Sequence, residues 1–256
     1  MKISIITVAY NCGATIADCI QSVDRQTYSN WEHWVIDGAS TDATLEIVDQ
    51  YRDSRRHVQS EPDEGIYDAM NKGISCVTGE VVGILNADDL FADPEVLMQV
   101  AALFQEKDVD LVYGDLVYVA PDQTDRVVRY WKAGFFRKQK MLYGWMPPHP
   151  TVFVRRELYE QSGGFRKEFR CSGDYEMMVR LLYKAGVKAH YLPRVLVRMR
   201  TGGVSNNSLQ NRWTANQEDR IAWKVNGLRP YFFTTWMKPL RKIGQFLFTG
   251  RGHSFL

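Results

Sequence analysis

Along the chain, short unbroken apolar runs alternate with stretches in which apolar residues recur every three or four positions. Alternation of strand-like and helix-like periods is the signature of an α/β domain built on a mostly parallel sheet. Residues 3–9 are apolar and β-branched and predict the first strand, after which Ile16, Ile20 and Val23 share one helical face. Residues 31–36 predict the second strand, stopping at Asp37. Gly38 to Asp42 then supply a turn and capping residues for a helix carrying Leu45, Val48 and Tyr51.

The same logic predicts a short third strand at 57–61, a turn at Pro62-Asp63-Glu64-Gly65, and a helix through Ile66, Met70 and Ile74 that Gly73 weakens. Residues 81–85 form a buried strand, apolar at consecutive positions, that delivers Asn86, Asp88 and Asp89 to its carboxyl end. Pro94 suits the first turn of a helix through Val96, Val100 and Leu103. Residues 110–119 predict a strand and 126–132 an edge partner. Beyond residue 140 the alternation loosens into a stiff loop at Met146-Pro147-Pro148-His149-Pro150, a strand at 151–154, and a helix at 157–162 ended by Gly163-Gly164. A further helix through Met177, Leu181 and Tyr183 begins at Gly173, with Asp174 at its start. Residues 201–211, containing Gly202-Gly203-Val204-Ser205, read as a loop. No internal repeat or low-complexity stretch interrupts this order.

In such sheets the ligand crevice lies beyond the carboxyl ends of the strands, so Asp37, the Asp88/Asp89 pair and Asp174 are expected to converge although they span more than a hundred residues. Adjacent short acids offer the hard oxygen ligands that Mg²⁺ or Mn²⁺ takes together with diphosphate oxygens, and they also occur as plain turn residues. Asp37 reads as a contact to a base or ribose, or as a turn acid. Asp174 reads as a helix cap or as a general base. His149 reads as an acceptor contact or a loop residue, and Lys72 as a phosphate ligand or a solvated helix lysine.

With 256 residues, 45% of them hydrophobic, the chain can bury a large core, and a net charge of +2 argues against a nucleic-acid binder held by phosphate neutralisation. Cys12, Cys19, Cys76 and Cys171 form no zinc spacing, and with no secretory leader evident the chain reads as a reduced, cytoplasmic protein. No stretch approaches the ~20 apolar residues of a membrane span.

Together, Thr7-Val8-Ala9-Tyr10-Asn11, Asp37-Gly38-Ala39-Ser40-Thr41-Asp42 and Asn86-Ala87-Asp88-Asp89 resemble the opening strand, nucleoside segment and metal motif of the inverting nucleotide-sugar glycosyltransferases with the A-type fold, glycosyltransferase family two. The likeness covers about the first two hundred residues. Asp63-Glu64-Gly65-Ile66-Tyr67-Asp68-Ala69-Met70-Asn71-Lys72-Gly73, His149-Pro150 and Gly202-Gly203-Val204-Ser205 resemble the exopolysaccharide, O-antigen and colanic-acid branch.

The resemblance implies a single Rossmann-like A-type domain over residues 1–210 with a C-terminal helical extension over 211–256. It also implies donor contacts at Thr7, Ala9, Asn11, Asp37, Asn71, Lys72, Asn86 and Asp88, a Mg²⁺ or Mn²⁺ ion at Asp88 and Asp89, and Asp174 as base. His149 and Arg180 fall to the acceptor side. The donor is expected to be a UDP- or GDP-sugar and the acceptor a glycan or lipid-linked oligosaccharide. Two departures stand out: Asn86 replaces the first acid of the metal motif, and Gly173 replaces the Glu of Glu-Asp-Tyr. These leave a catalytically silent binding module as an alternative. A sugar nucleotidyltransferase or diphosphate-sugar hydrolase is another, although Tyr10-Asn11-Cys12-Gly13-Ala14 is not the Gly-rich basic loop such nucleotidyltransferases carry.

After Asp219 no acidic residue follows, while Lys224, Arg229, Lys238, Arg241, Lys242 and Arg251 alternate with Trp223, Tyr231, Phe232, Phe233, Trp236, Phe246 and Phe248. Such a stretch suits peripheral contact with an anionic membrane on its inner face, or a C-terminal helix packed on the domain.

Overall fold

A computed structural model describes residues 1–202 and 209–243. Among these, one nine-stranded sheet is flanked by helices. Strands β1 (Ile3–Ala9), β2 (Trp31–Asp37), β3 (Arg56–Ser60) and β4 (Val81–Ile84) run parallel in the order β3-β2-β1-β4. The helices between them are α1 (Ile16–Asp24), α2 (Thr44–Gln50) and α3 (Ile66–Cys76). Gly73 in α3 has a packing role: a Cβ there would collide with Ile6 of β1, so its absence brings helix and sheet into contact.

Beyond β4 the sheet is mixed. β8 (Phe153–Arg155) pairs antiparallel to β4 and to β6 (Leu111–Val119), and β7 (Val127–Trp131) is the expected antiparallel edge partner of β6. The sequence pattern gave no element at β9 (Ala189–Arg200), a twelve-residue strand parallel to β6 and inside the sheet. Its Pro193 and four interspersed cationic or histidine positions hide it, because Pro and alternating charge argue against a central strand. Likewise Asp89 opens a short strand, β5 (Asp89–Phe91), that pairs with β9 and fixes the acid pair to the sheet.

Helices α4 (Val96–Glu106), α5 (Lys138–Leu142), α6 (Arg156–Ser162) and α7 (Gly173–Met178, continuing as a π-helical turn over Val179–Ala185) cover the sheet. Helix α8 (Leu209–Val225) is no appendage. Ala222 and Trp223 are fully buried in the same apolar cluster as Ile6, Val82, Tyr113 and Tyr175, so the border expected at residue 210 does not separate two cores. Helix α9 (Thr234–Ile243) follows. No described helix is long and apolar enough to cross a membrane.

His33, fully buried on β2, accepts from Arg56 Nε at Nδ1 (3.2 Å) and therefore carries its proton on Nε2, 2.9 Å from Thr7 Oγ1. Burial, and then the Arg56 charge, push its pKa down to about 3. Between that value and the unfolded value near ~6.5 the unfolded chain binds the extra proton, so stability is complete above the window and falls as pH drops through it. Melting temperature should therefore decline between pH 7 and pH 4, and less steeply in His33→Gln. Parallel pH profiles for the two proteins would exclude His33 as the source.

Candidate active site

Register sets the floor of the site. Ala9, Asp37 and Ser60 lie side by side at the carboxyl ends of β1, β2 and β3. Past β4 the chain keeps bonding to β1, through Leu85 N to Ile6 O (2.9 Å) and Ala87 N to Val8 O (3.3 Å), which carries Asn86 to Asp89 to the same edge. Asn86 Nδ2 donates to Asp89 Oδ2 at 3.2 Å, while Asn86 Oδ1 and Asp89 Oδ1 are buried without a partner. Burial, then the neighbouring Asp88 charge, raise the Asp89 carboxyl well above its usual range, and burial raises half-buried Asp88. Arg200 offsets the two carboxyls only in part and two buried oxygens lack a donor, and a hard divalent cation fits that set. Three or more His, Cys, Asp or Glu side chains do not gather as a metal site among the described residues, so a cation bound here would need diphosphate and water oxygens to complete its coordination. Buried Arg200, at the end of β9, supports the motif by donating to the Asp88 carbonyl at 2.9 Å while pairing with Asp18.

Asp174 stands in the first turn of α7, half-buried. Its Oδ1 accepts from Tyr175 N at 2.7 Å and lies 3.5 Å from the Tyr67 hydroxyl, whereas Oδ2 has no partner among the described residues. A Cβ on Gly173 would sit 2.8 Å from the Tyr67 ring. That contact explains the departure at this position: the ring occupies the space a glutamate side chain would need.

The loop entering α7 is held from α8, where Glu218 accepts from the backbone N–H groups of Arg170 (2.9 Å), Cys171 (2.8 Å) and Ser172 (2.8 Å). Trp223 Nε1 donates to Tyr175 Oη at 2.8 Å, and Asn226 Nδ2 to Glu176 Oε1 at 2.9 Å. Buried His149 packs edge-on against Phe165, and burial lowers its pKa while the Asp174 charge opposes the shift. Phe165 also stacks on Tyr67, whose hydroxyl is the one 3.5 Å from Asp174, so His149 and Asp174 border the same ring pair. The Tyr118 hydroxyl is pushed up by burial, against the Arg129 charge, with Asp89 and Asp174 adding to the rise; Tyr118 and Asp89 both pair with Met199 of β9.

Other expected residues are committed to the fold. Asp37 is fully buried and its carboxylate accepts from Ser40 N (3.0 Å), Ser40 Oγ and Ser60 Oγ (2.6 Å), so it closes the β2 turn and offers a nucleoside no open face. Thr7 faces His33 in the core, and Ala9 is buried. Asn11 ties two turns together, accepting from Thr41 N at 2.9 Å. Asn71 clamps Phe165 through both its amide atoms (2.8 and 2.7 Å). Lys72 turns to Pro62 O (2.7 Å) and Glu61 (2.9 Å). Arg180 forks onto Glu176 and the carbonyls of Ser162 and Gly164, which removes it from the acceptor side. Each of these polar groups answers a buried or turn partner that sequence spacing does not display. Gly203, Val204 and Ser205 lie outside the described residues.

Sequence reasoning missed Asp63, one strand end beyond Asp37. Its Oδ1 accepts from Gly65 N at 2.8 Å, and its Oδ2 fills the space beside Gly38 where a Cβ would collide, next to the exposed ring of Tyr10. The signal was available: an acid in the turn three residues past the end of a third parallel strand. Burial raises Cys12 to about 11 and Cys19 to about 12, so neither is a thiolate at neutral pH.

The structure resembles S. aureus TarS 1–349 in complex with UDP-GlcNAc (TM-score 0.70, 19% identity, 97% of this chain and 72% of that one). It also resembles the mannosyltransferase PcManGT of Pyrobaculum calidifontis in complex with GDP-Man and Mn²⁺ (TM-score 0.66, 18%, 93% and 72%). In sequence it is 31% identical over 208 residues to a PGL/p-HBAD biosynthesis glycosyltransferase of Mycobacterium bovis, covering 79% of this chain and 78% of the relative. It is 28% identical over 209 residues to the putative glycosyltransferase EpsE of Bacillus subtilis, covering 78% and 73%. The sequence model described as glycosyl transferase family 2 matches residues 4–163, and with the strand-end acids and the mixed sheet it places the chain in that family.

Proposed function

We propose that the protein transfers a sugar from a nucleoside diphosphate to a hydroxyl of a glycan or lipid-linked acceptor, with inversion, in bacterial cell-surface polysaccharide synthesis. The observation that carries this reading is the Asp174 carboxylate, anchored at Oδ1 by Tyr175 N and the Tyr67 hydroxyl and left at Oδ2 without a partner among the described residues. Relatives named for PGL/p-HBAD biosynthesis and for EpsE, and neighbours solved with UDP-GlcNAc or GDP-Man, support it. A lipid-linked acceptor would bring the protein to the inner face of the cytoplasmic membrane.

In this mechanism the acceptor hydroxyl loses its proton to Asp174 Oδ2 as it attacks the anomeric carbon, and the diphosphate leaves from the opposite face. Tyr67, near Oδ1, and the Tyr175 N–H hold the carboxylate so that Oδ2 faces the acceptor. Neutral His149 borders the same space. Mg²⁺ or Mn²⁺ held by Asp88, with Asp89 and Asn86, would supply Lewis-acid neutralisation of the leaving diphosphate.

The base contact passes from sealed Asp37 to Asp63. A carboxylate oxygen accepts the ring N–H of uracil or guanine and repels the unprotonated ring nitrogens of cytosine and adenine, with Tyr10 as a stacking surface. Melting shifts with UDP, GDP, CDP and ADP, each with Mn²⁺, test this assignment. UDP or GDP should stabilise in a cation-dependent way, and Asp63→Ala should weaken that binding about 10- to 100-fold, the worth of a hydrogen bond to a charged group. Equal binding by Asp63→Ala, or equal shifts from all four nucleotides, would end the assignment.

A further inference from the structure

The acid-free tail has a counterpart elsewhere in the chain: from Arg126 to Arg156 there are eight lysines and arginines and no aspartate or glutamate. The fold brings the two segments together. Thr234 Oγ1 donates to the Leu142 carbonyl at 2.6 Å, and a Cβ on Gly144 would meet the backbone of Lys238, so α5 and α9 touch almost without intervening side chains. Tyr143 lies 6.1 Å from Tyr231 and 5.8 Å from Phe233, and Phe232 projects beside them, 89% exposed. Phe135, Tyr143, Tyr231 and Trp236 are exposed as well. Soluble surfaces seldom leave so many large aromatics open in one place.

The cations around this cluster divide into two groups. Lys238 is held by Asp219 at 2.7 Å and lies over the Tyr175 ring, and Lys140 donates to the Phe135 carbonyl. Arg137 and Arg229 are exposed, with no partner among the described residues. Trp223, counted with the tail aromatics on sequence, is fully buried and contributes nothing to this surface. Phe246, Phe248 and Arg251 lie outside the described residues.

We infer that α5, Tyr143 and the Tyr231–Trp236 turn form one docking face for an anionic phospholipid surface, with the aromatics entering the headgroup region and Arg137 and Arg229 meeting lipid phosphates. Exposed aromatic rings in segments that also carry the unpaired cations Arg137 and Arg229, and no acid, match that environment in polarity and in charge. From the face at Tyr143 the chain runs inward through buried Gly144 to Pro148 and reaches buried His149. The inference goes beyond the transferase reading, since docking needs neither donor nor cation.

Vesicle co-sedimentation of the full chain tests it, comparing phosphatidylcholine vesicles with vesicles containing about one third phosphatidylglycerol. The chain should bind the anionic vesicles only, with binding that weakens as salt rises. Phe232→Ser, and separately Arg137→Glu with Arg229→Glu, should each lower partitioning at least about tenfold, while Arg52→Glu on the α2 side leaves it unchanged. All four side chains are exposed, so melting temperature and nucleotide-induced melting shifts should stay at wild-type values and report separately on the transferase reading. Absence of binding to anionic vesicles, or wild-type binding by both variants, overturns the inference. So does a dimer, seen by light scattering, that Phe232→Ser dissociates without changing vesicle binding.

Discussion

Asp174→Asn is expected to reduce sugar transfer by about 100- to 10,000-fold, the usual worth of a positioned general base, with donor binding nearly unchanged. The substitution keeps the size of the side chain, and an amide oxygen at Oδ1 can still accept from Tyr175 N at 2.7 Å, so local structure should survive. What disappears is the basic oxygen at Oδ2. Because the loss arises in the chemical step, it should appear in kcat, with the nucleotide-induced melting shift retained. Wild-type turnover in Asp174→Asn would remove this residue from the mechanism and return the site to a donor-binding role.

Glu218→Ala should be the most damaging change outside the strand-end acids. Its carboxylate is the shared acceptor for three backbone donors at Arg170, Cys171 and Ser172, and Glu218 itself is buried. Leaving such donors unsatisfied costs on the order of 1–3 kcal/mol each before water enters, so a net loss of about 3 kcal/mol is expected. In a chain of this size that corresponds to a fall in melting temperature of roughly 6–12 °C. The same loop leads into the first turn of α7, so kcat should fall together with stability, and Glu218→Gln, which keeps one carbonyl oxygen, should lie between. A variant that melts and turns over like wild type would show that α8 does not position Asp174. The consequence for organisation is direct: removing the tail at residue 210 should remove the support of the base, whatever it does to membrane contact.

The parallel half of the sheet was legible because β1 and β4 are buried on both faces and read as largely apolar, β-branched runs, while β2 keeps Trp34, Val35 and Ile36 together before Asp37. The acids at their ends were legible for the same reason, since a polar residue that breaks such a run marks the crevice edge. β9 was not. Its basic side chains face Asp18, Asp125, Asp93 and backbone carbonyls contributed by distant segments, and no local pattern encodes those partners. Nor could spacing distinguish an acid that closes its own turn, as Asp37 does, from one with an oxygen left over, as Asp63 and Asp174 have.

By itself, then, the sequence determined the α/β class, the strand-end acids and the family resemblance, because burial and turn formation act on neighbouring residues and leave periodic traces. Only the tertiary structure decided which acids remain free, that Tyr67 replaces a glutamate side chain beside Asp174, and that α8 belongs to the core. Those outcomes depend on hydrogen-bond partners and packing contacts up to about a hundred and eighty residues apart, such as Asp18 with Arg200, and one chain read in order carries no record of them.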